Sequence, residues 1–218
     1  MNIPSIPVPS GTPRVWDWYV PIVTTKNITH AYLTETIDEP SYYNELCYLL
    51  ENSVPSETVY LHLNTPGGMI DSAFMLIDAI KSAQARVIGK LSGNVCSAGT
   101  LITMTCDEIE VADHTAFMVH NYSGGVSGKG HEMKSRQEFI DESLNAAFRS
   151  FYSGFLTENE MDEIIDGKDY WMAKDEVMER WAARKAFLAG KPLPRITDSA
   201  VDEDSTVKPK TRGRTRKA

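Results

Sequence analysis

Short apolar runs alternate along this chain with segments in which apolar residues recur every three or four positions. Runs that are rich in β-branched and apolar side chains, and that are bounded by polar residues, glycine or proline, predict strands. These runs are residues 28–37, 58–63, 86–91, 108–111 and 116–120. Because helical patterns separate the first of these strands, the sequence predicts an α/β architecture.

Three longer segments carry helical patterns. They are residues 42–52, 70–80 and 132–155. In the second, the apolar positions lie at i, i+3, i+4, i+7 and i+10, on one helix face. The third is unusually aromatic, and we interpret its stripe as core or subunit contacts, because large apolar side chains at helical spacing usually pack. Thr157 and Glu160 form a capping-box pattern for another helix, which Gly167 ends.

The two ends of the chain differ in composition from its middle. Four prolines among the first 13 residues remove backbone donors, which predicts an irregular amino-terminal arm over residues 1–27. From residue 196 the chain turns polar, acidic and finally basic without apolar periodicity, which predicts a disordered tail over residues 196–218. The folded domain is therefore expected to span residues 28–195.

Composition is that of a globular protein, with 42% hydrophobic and 24% charged residues. No run approaches the roughly 18 apolar residues of a membrane span, and the start lacks the basic and apolar stretches of a secretion signal. We therefore expect a cytoplasmic protein without membrane contact. Cys47, Cys96 and Cys106 are too few and too scattered for a disulfide framework or a zinc motif, so we expect reduced thiols and no metal.

Charge is divided unevenly along the chain. The net charge is −8, but the last eleven residues hold six basic residues and no acid. The other 207 residues hold 16 basic and 30 acidic residues, a net charge of −14. A net charge of this size disfavours nucleic-acid binding, because neutralisation of the phosphates supplies most of the non-specific affinity for nucleic acids. Only the basic tail could therefore bind polyanions.

Two turns between a strand and a helix carry candidate chemistry. In residues 64–68, Asn-Thr-Pro-Gly-Gly, the glycines allow close backbone approach and expose amides that favour a negative charge, either a phosphate or a developing oxyanion. In residues 91–99, Ser97 lies where a nucleophile elbow would project its hydroxyl, although Val95 replaces the upstream glycine. A tight turn and a plain helix cap are the structural alternatives. Cys96 is a rival nucleophile.

A serine nucleophile needs a base, because its hydroxyl is barely ionised at neutral pH. Five histidines compete, and His120 ranks first because it closes an apolar strand ahead of a glycine loop. Lys90 is a conceivable alternative base on the strand before Ser97. The acid that would orient the imidazole cannot be chosen among 30 acidic residues from these patterns alone.

Read in order, the motifs at residues 64–68, 93–99, 118–120 with 124–125, and 169–172 resemble those of ClpP, the proteolytic subunit of the Clp protease. The similarity runs from about residue 28 to residue 182, and the spacing agrees as well as the motifs do. The resemblance implies the ClpP/crotonase-like fold, in which β-β-α units repeat and a handle helix, here around residues 132–155, protrudes.

The resemblance also implies a serine endopeptidase that hydrolyses unfolded polypeptides inside an oligomeric chamber through an acyl-enzyme. Ser97 would be the nucleophile, His120 the general base and Asp169 the orienting acid. The backbone amides of Gly68 and Ala98 would form the oxyanion hole.

The same resemblance also implies how substrate would bind at this site, how the subunits would assemble and which partner would deliver the substrate. Residues after Gly124 and Gly125 would form a substrate-aligning strand, and the handle helix would stack one seven-membered ring on another. A Clp-family AAA+ ATPase would deliver the polypeptide and consume the ATP, so no cofactor is expected in this chain. The chain contains no GxxxxGK[ST] loop, as this division of labour requires.

Several positions depart from the family pattern. Gly167 and Lys168 replace the acid and arginine that usually link the rings, Tyr122 replaces a proline, and the last helix could run on to Gly190. These departures favour a divergent, phage- or plasmid-borne member. Alternatives to the ATP-dependent protease are a capsid-maturation protease that needs no ATPase, a non-catalytic ring subunit, and an acyl-CoA-binding relative of the same fold.

Overall fold

Strands and helices alternate in the computed structural model of the chain, which describes residues 20–25 and 27–190. The strands are β1 (Ile22–Thr25), β2 (Ile28–Leu33), β3 (Thr58–Thr65), β4 (Arg86–Cys96), β5 (Glu108–Val111), β6 (Ala116–Val119) and β7 (Tyr170–Met172). The α-helices are α1 (Asn44–Glu51), α2 (Ile70–Ser82), α3 (Ala98–Thr103), α4 (Gly130–Tyr152), α5 (Glu158–Ile165) and α6 (Lys174–Leu188), and a 3₁₀ helix (Pro40–Tyr43) precedes α1. This architecture confirms the α/β prediction.

The strands form one seven-stranded sheet in the order β1-β2-β3-β4-β6-β7, with β5 paired to β4 beside this path. The pairs from β2 to β6 are parallel, and β1 and β7 run antiparallel at the edges. Strand β4 is long enough to pair with two partners: its residues 88–91 pair with β5 and its residues 94–96 pair with β6. The second half of β4 therefore leads directly into the candidate site.

The core lies where α1, α2 and α3 pack on the sheet. Of the predicted apolar face of α2, Ala73, Ile77 and Ile80 are buried, and Ile70 and Phe74 are half-buried. Leu76, which the predicted face did not include, is also buried. Full burial of an aliphatic side chain of this size contributes about 1.5–3 kcal/mol relative to exposure. This packing fixes α2, and with it the glycine turn that precedes the helix.

Several boundaries differ from the sequence expectation. Residues 22–25, which we had placed in the irregular arm, form β1 because they can pair with β2, a contact that local composition does not reveal. The first predicted strand ends at Leu33 rather than residue 37, and β7 was not predicted, since three residues give little periodicity. The remainder of the arm, residues 1–19, and the predicted tail lie outside the described residues.

The helices after the core follow local signals closely. Helix α4 begins and ends two to three residues before its predicted bounds. The capping box is confirmed, with Thr157 Oγ1 accepting from the Glu160 amide and Glu160 accepting from the Thr157 amide. Helix α6 runs to Leu188, close to the predicted end. Within the described part of the chain, every helix is too short or too polar to cross a membrane.

A buried ion pair joins α5 to α6. Arg180 donates to both carboxylate oxygens of Glu160, at 2.9 and 2.7 Å, and the two side chains are only 3% and 11% exposed. Arg180 also donates to Glu176 at 2.9 Å and to the Phe155 carbonyl. Burial alone would raise the pKa of Glu160, but its hydrogen bonds with Arg180 and Thr157 and the charge of Arg180 together outweigh burial and hold the pKa below the ordinary value of 4.5.

Glu160→Gln is expected to lower the free energy of unfolding by about 3 kcal/mol at pH 7. Glutamine keeps the capping box but leaves the buried guanidinium with only Glu176 as a charged partner. Because the folded-state pKa of Glu160 is depressed, its contribution is complete above the unfolded-state pKa and is lost as the pH falls through the folded-state pKa. The difference from the wild type should therefore be full at pH 7 and shrink below about pH 4.5.

Urea denaturation at pH 7 and pH 3.5 measures this difference. The matched control is Glu158→Gln on the same helix, whose exposed side chain forms a surface pair with Arg149 and should change stability by less than about 0.5 kcal/mol. If Glu160→Gln lowered the free energy of unfolding equally at both pH values, the role given to the Glu160 charge would be contradicted.

Candidate active site

Ser97 occupies the single-residue junction between β4 and α3. Its backbone has φ 52° and ψ −122°, and among the described residues no other non-glycine residue has a positive φ. The Ser97 amide donates to the Met118 carbonyl of β6 at 2.9 Å, so the strained residue is held by the neighbouring strand. A sharp strand-to-helix turn of this kind projects a side chain out of the sheet edge, and backbone strain of about 1–3 kcal/mol persists where the surroundings enforce it.

The hydroxyl of Ser97 does not serve as a helix cap. The Ser97 carbonyl accepts from the Thr100 amide at 2.8 Å and from the Thr100 hydroxyl at 2.6 Å, but the Ser97 side chain makes no capping bond to α3. Helix capping by the side chain, the structural alternative for this serine, is therefore not what the structure contains.

The two glycine-containing turns lie against each other. A Cβ added at Gly67 would lie 2.6 Å from Ser97 Cβ and 3.0 Å from the Ala98 nitrogen, so only glycine permits this approach. Gly68 has φ 151°, and a Cβ there would lie 2.0 Å from the Ile37 carbonyl oxygen. The two turns that the sequence singles out separately thus form one surface around Ser97.

The amides of Gly68 and Ala98 have no hydrogen-bond acceptor among the described residues. In the bridge between residues 37 and 68, Ile37 donates to Gly67 and Met69 donates to Ile37, which leaves the Gly68 amide directed away from Ile37. Ala98 is the first residue of α3, where amides have no intrahelical partner. Two unpaired amides beside a serine are the donors that a developing oxyanion requires.

His120 follows β6 directly and lines the same cleft as Ser97, Gly68 and Ala98. The other four histidines lie elsewhere. His30 and His62 hydrogen-bond to each other at 3.0 Å on the open face of the sheet, where burial, His30 and Lys90 lower the pKa of His62. His114 and His131 are exposed on the surface. Its position in the cleft therefore favours His120 over the other four histidines as the candidate base.

Asp169 is placed next to His120 by the sheet but does not contact it. Strands β6 and β7 pair Val119 with Tyr170, and this antiparallel register, continued by one residue, puts Asp169 opposite His120. Asp169 is nevertheless exposed and outside the cleft lining. Within the described chain, the side chains of Ser97 and His120 make no hydrogen bond to each other or to Asp169.

The rivals to Ser97 and His120 are unsuited to the task. Cys96 is buried, and burial raises the pKa of its thiol, which disfavours the reactive thiolate. Lys90 forms a 2.9 Å salt bridge with Glu110 and lies over the Tyr60 ring, on the strand half that pairs with β5. The described residues contain no cluster of three or more acidic, histidine or cysteine side chains that could hold a metal ion.

The cleft at Ser97 has a volume of about 500 Å³, and a large part of its lining is apolar. That part is formed by Met69, Ile70, Phe74 and Leu101 and by residues of α4, namely Leu144, Ala147, Phe148, Phe151 and Tyr152. The aromatic stripe of α4 thus has two roles. Tyr152 belongs to the core and Phe148 and Phe151 pack against it, as expected, but all three also line the cleft, which sequence periodicity could not reveal.

The segment after His120 differs from the sequence expectation. Residues 121–127, which include Gly124 and Gly125, have no strand pairing within the described chain and run as irregular backbone to α4. The substrate-aligning role given to this segment by resemblance stays a prediction. Asn121, Tyr122 and Ser123 of this segment line the cleft, and sequence reasoning had given none of them a role in it.

A family model described as Clp protease matches residues 17–184, which is most of the chain. The chain belongs to the Clp protease family. Curated relatives are the ATP-dependent Clp protease proteolytic subunit 2 of Pseudomonas aeruginosa, 26% identical over 65% of this chain and 71% of the relative, and subunit 1 of Protochlamydia amoebophila, 24% identical over 73% and 84%. Subunit 3 of Rhizobium meliloti is 28% identical over 55% and 63%. Family and relatives support a peptidase.

Proposed function

We propose that this chain is a serine endopeptidase with Ser97 as nucleophile, His120 as general base and Asp169 as the acid that orients the imidazole. The observation that carries the proposal is the shared cleft. A strained serine, a histidine and two backbone amides converge there, and none of the two side chains and two amides has a hydrogen-bond partner among the residues that the structure describes. A ClpP-like peptidase is also what the family membership favours.

The proposed reaction follows from the positions of these groups. His120 takes the proton of the Ser97 hydroxyl as the oxygen attacks the peptide carbonyl carbon, and the carbonyl oxygen becomes an oxyanion held by the amides of Gly68 and Ala98. The C–N bond then breaks as His120 gives its proton to the leaving amine, which leaves an acyl-enzyme. Water, deprotonated by His120, hydrolyses the ester and restores the Ser97 hydroxyl. Asp169 would stabilise the imidazolium during both steps.

The shape of the cleft indicates which peptide bonds the enzyme would cut. The apolar part of its lining, built from α2, α3 and α4, can accept a large apolar side chain while the adjacent carbonyl lies at Ser97. Cleavage next to residues such as leucine or methionine is therefore expected. Because such side chains are mostly buried in folded proteins, the natural substrates would be unfolded polypeptides.

The proposal also covers the assembly of this chain into rings and its partner ATPase. The relatives are named as proteolytic subunits of an ATP-dependent protease, and we propose that this chain likewise assembles with itself into one or two rings and receives substrate from a Clp-type ATPase. Phe139, 70% exposed on α4, suits a contact with another subunit. Lys168, at a position that usually links rings, is bound within its own chain by Glu163 and Tyr170.

Labelling with a fluorophosphonate tests the proposed nucleophile. The probe should modify the purified chain at one site, and mass spectrometry of the digested protein should locate the label on Ser97, because only this hydroxyl has a base and an oxyanion site beside it. Ser123 is a matched control since it lines the same cleft without this environment, and Ser123→Ala should be labelled like the wild type. Label on Ser123, or none on Ser97, would contradict the proposal.

A further inference from the structure

Helix α4 is attached close to both reactive residues. At its carboxyl end, Tyr152 lies 2.5 Å from the Thr100 hydroxyl, and the Thr100 hydroxyl donates to the Ser97 carbonyl at 2.6 Å. Because the single Thr100 proton is used on Ser97, Tyr152 is the donor to Thr100. A continuous chain of hydrogen bonds therefore runs from the end of α4 to the backbone of Ser97.

A second attachment lies two residues after His120. The Tyr122 hydroxyl donates to Asp141 Oδ1 and accepts from Gln137 Nε2 at 2.6 Å, and Gln137 also donates to Asp141 at 2.7 Å. Gln137 and Asp141 are four residues apart and so lie on the same face of α4. Between residues 130 and 141, these are the only side-chain hydrogen bonds that join the helix to another described element.

The backbone between His120 and Tyr122 is restrained as well. Asn121 donates through its side chain to the Ile165 carbonyl at the end of α5, at 2.9 Å, and accepts from the Tyr122 amide at 2.8 Å. Beyond Tyr122 the chain has no strand pairing until α4 begins. The position of His120 therefore depends on β6 on one side and on the anchored pair of residues 121 and 122 on the other.

We infer that Tyr122 is a positioning residue, whose hydroxyl fixes the His120 segment to the same helix that braces Ser97. This inference rests on the proposed function and adds to it the element that sets the distance between nucleophile and base. Helix α4 would act as a common support, so that its movement changes the geometry of both groups together. The Asp141 carboxylate raises the pKa of Tyr122, which keeps the hydroxyl protonated and able to donate.

The test compares Tyr122→Phe with the wild type on a short fluorogenic peptide that has leucine before the scissile bond. We expect kcat to fall about tenfold with KM within about twofold, because a small misplacement of a base slows chemistry without weakening binding. The rate of fluorophosphonate labelling of Ser97 should fall by a similar factor. Tyr48→Phe, at an exposed position of α1 outside the cleft lining, should leave both rates unchanged.

Variants of Asp141, which accepts the hydrogen bond of Tyr122, show whether this bond carries the effect. Asp141→Asn retains the acceptor oxygen and should keep most of the activity. Asp141→Ala should lower kcat less than Tyr122→Phe does, because Gln137 still donates to the Tyr122 hydroxyl. The double variant Tyr122→Phe/Asp141→Ala should be no worse than Tyr122→Phe alone, since that change already removes both hydrogen bonds of the hydroxyl. Wild-type kcat in Tyr122→Phe, or a rise in KM with unchanged kcat, would overturn the inference, the second because it would make Tyr122 a substrate contact.

Hydrogen exchange separates this inference from the proposed function. In Tyr122→Phe, the hydrogen-bonded amides of α4 between residues 134 and 141 should exchange about tenfold faster, while those of β3 and α2 should not change, because only the anchored part of the helix is released. An unchanged exchange rate overturns the anchoring, whether or not the protein cleaves peptides. A wild-type chain that is not labelled at Ser97 refutes the proposed chemistry instead.

Discussion

Ser97→Ala and His120→Ala are each expected to lower kcat for peptide hydrolysis by about four to six orders of magnitude. The serine supplies the attacking oxygen and the histidine removes its proton, so either loss disables the same step. For this reason the double variant should be about as active as either single variant rather than the product of the two losses. Residual hydrolysis would come from the two amides, which can still polarise a bound carbonyl.

The measurement is steady-state hydrolysis of a fluorogenic peptide with an apolar residue before the scissile bond. His131→Ala is the matched control, because His131 is exposed at the start of α4, outside the cleft, and should behave as the wild type. If His120→Ala kept more than about a tenth of the wild-type kcat, His120 could not be the general base, since such a base contributes at least about a hundredfold.

Gly68→Ala is expected to lower kcat/KM by at least about a hundredfold. The new Cβ would lie 2.0 Å from the Ile37 carbonyl oxygen, far inside contact distance, and the positive φ of 151° disfavours any side chain. The turn must therefore shift, and the Gly68 amide shifts with it. Loss of one oxyanion donor commonly costs about a hundredfold to a thousandfold in rate.

The control for this variant is Gly130→Ala, where an added Cβ meets nothing within 4 Å. It should retain wild-type kinetics. Assays at a temperature well below the unfolding transition, checked by circular dichroism, separate the local effect from loss of the fold. Activity of Gly68→Ala within about threefold of the wild type would exclude the Gly68 amide from the reaction.

Local signals in the sequence were enough to predict much of the fold. The period of α2, the Thr157 capping box and the end of α5 near Gly167 each depend on residues within one or two turns, and the structure agrees with all of them. The central strands were predicted because their apolar and β-branched residues form short runs bounded by polar residues, glycine or proline. Strands β1 and β7 escaped prediction, since neither has a pattern of its own: β1 is defined by pairing with the adjacent β2, and β7 by pairing with β6, which is distant in sequence.

In the candidate site, too, features with a local sequence signal could be predicted and tertiary contacts could not. Ser97, His120 and the two glycine turns could be singled out because strand ends and turns have recognisable residue types. The joining of those turns into one surface, the apolar wall provided by α4 and the anchoring of Tyr122 are tertiary contacts, and no spacing along the chain encodes them. Asp169 was chosen by resemblance alone, and the structure supports that choice only through its register opposite His120.

The positive φ of Ser97 also limits which amino acids can replace the serine at this junction. Glycine would adopt such a backbone without strain, and no β-branched or bulky residue would adopt it readily. Selection for stability alone would therefore favour glycine at residue 97 and remove the hydroxyl. A serine that stays in this conformation leaves the fold less stable than it could be, so the junction is a point where stability and activity oppose each other.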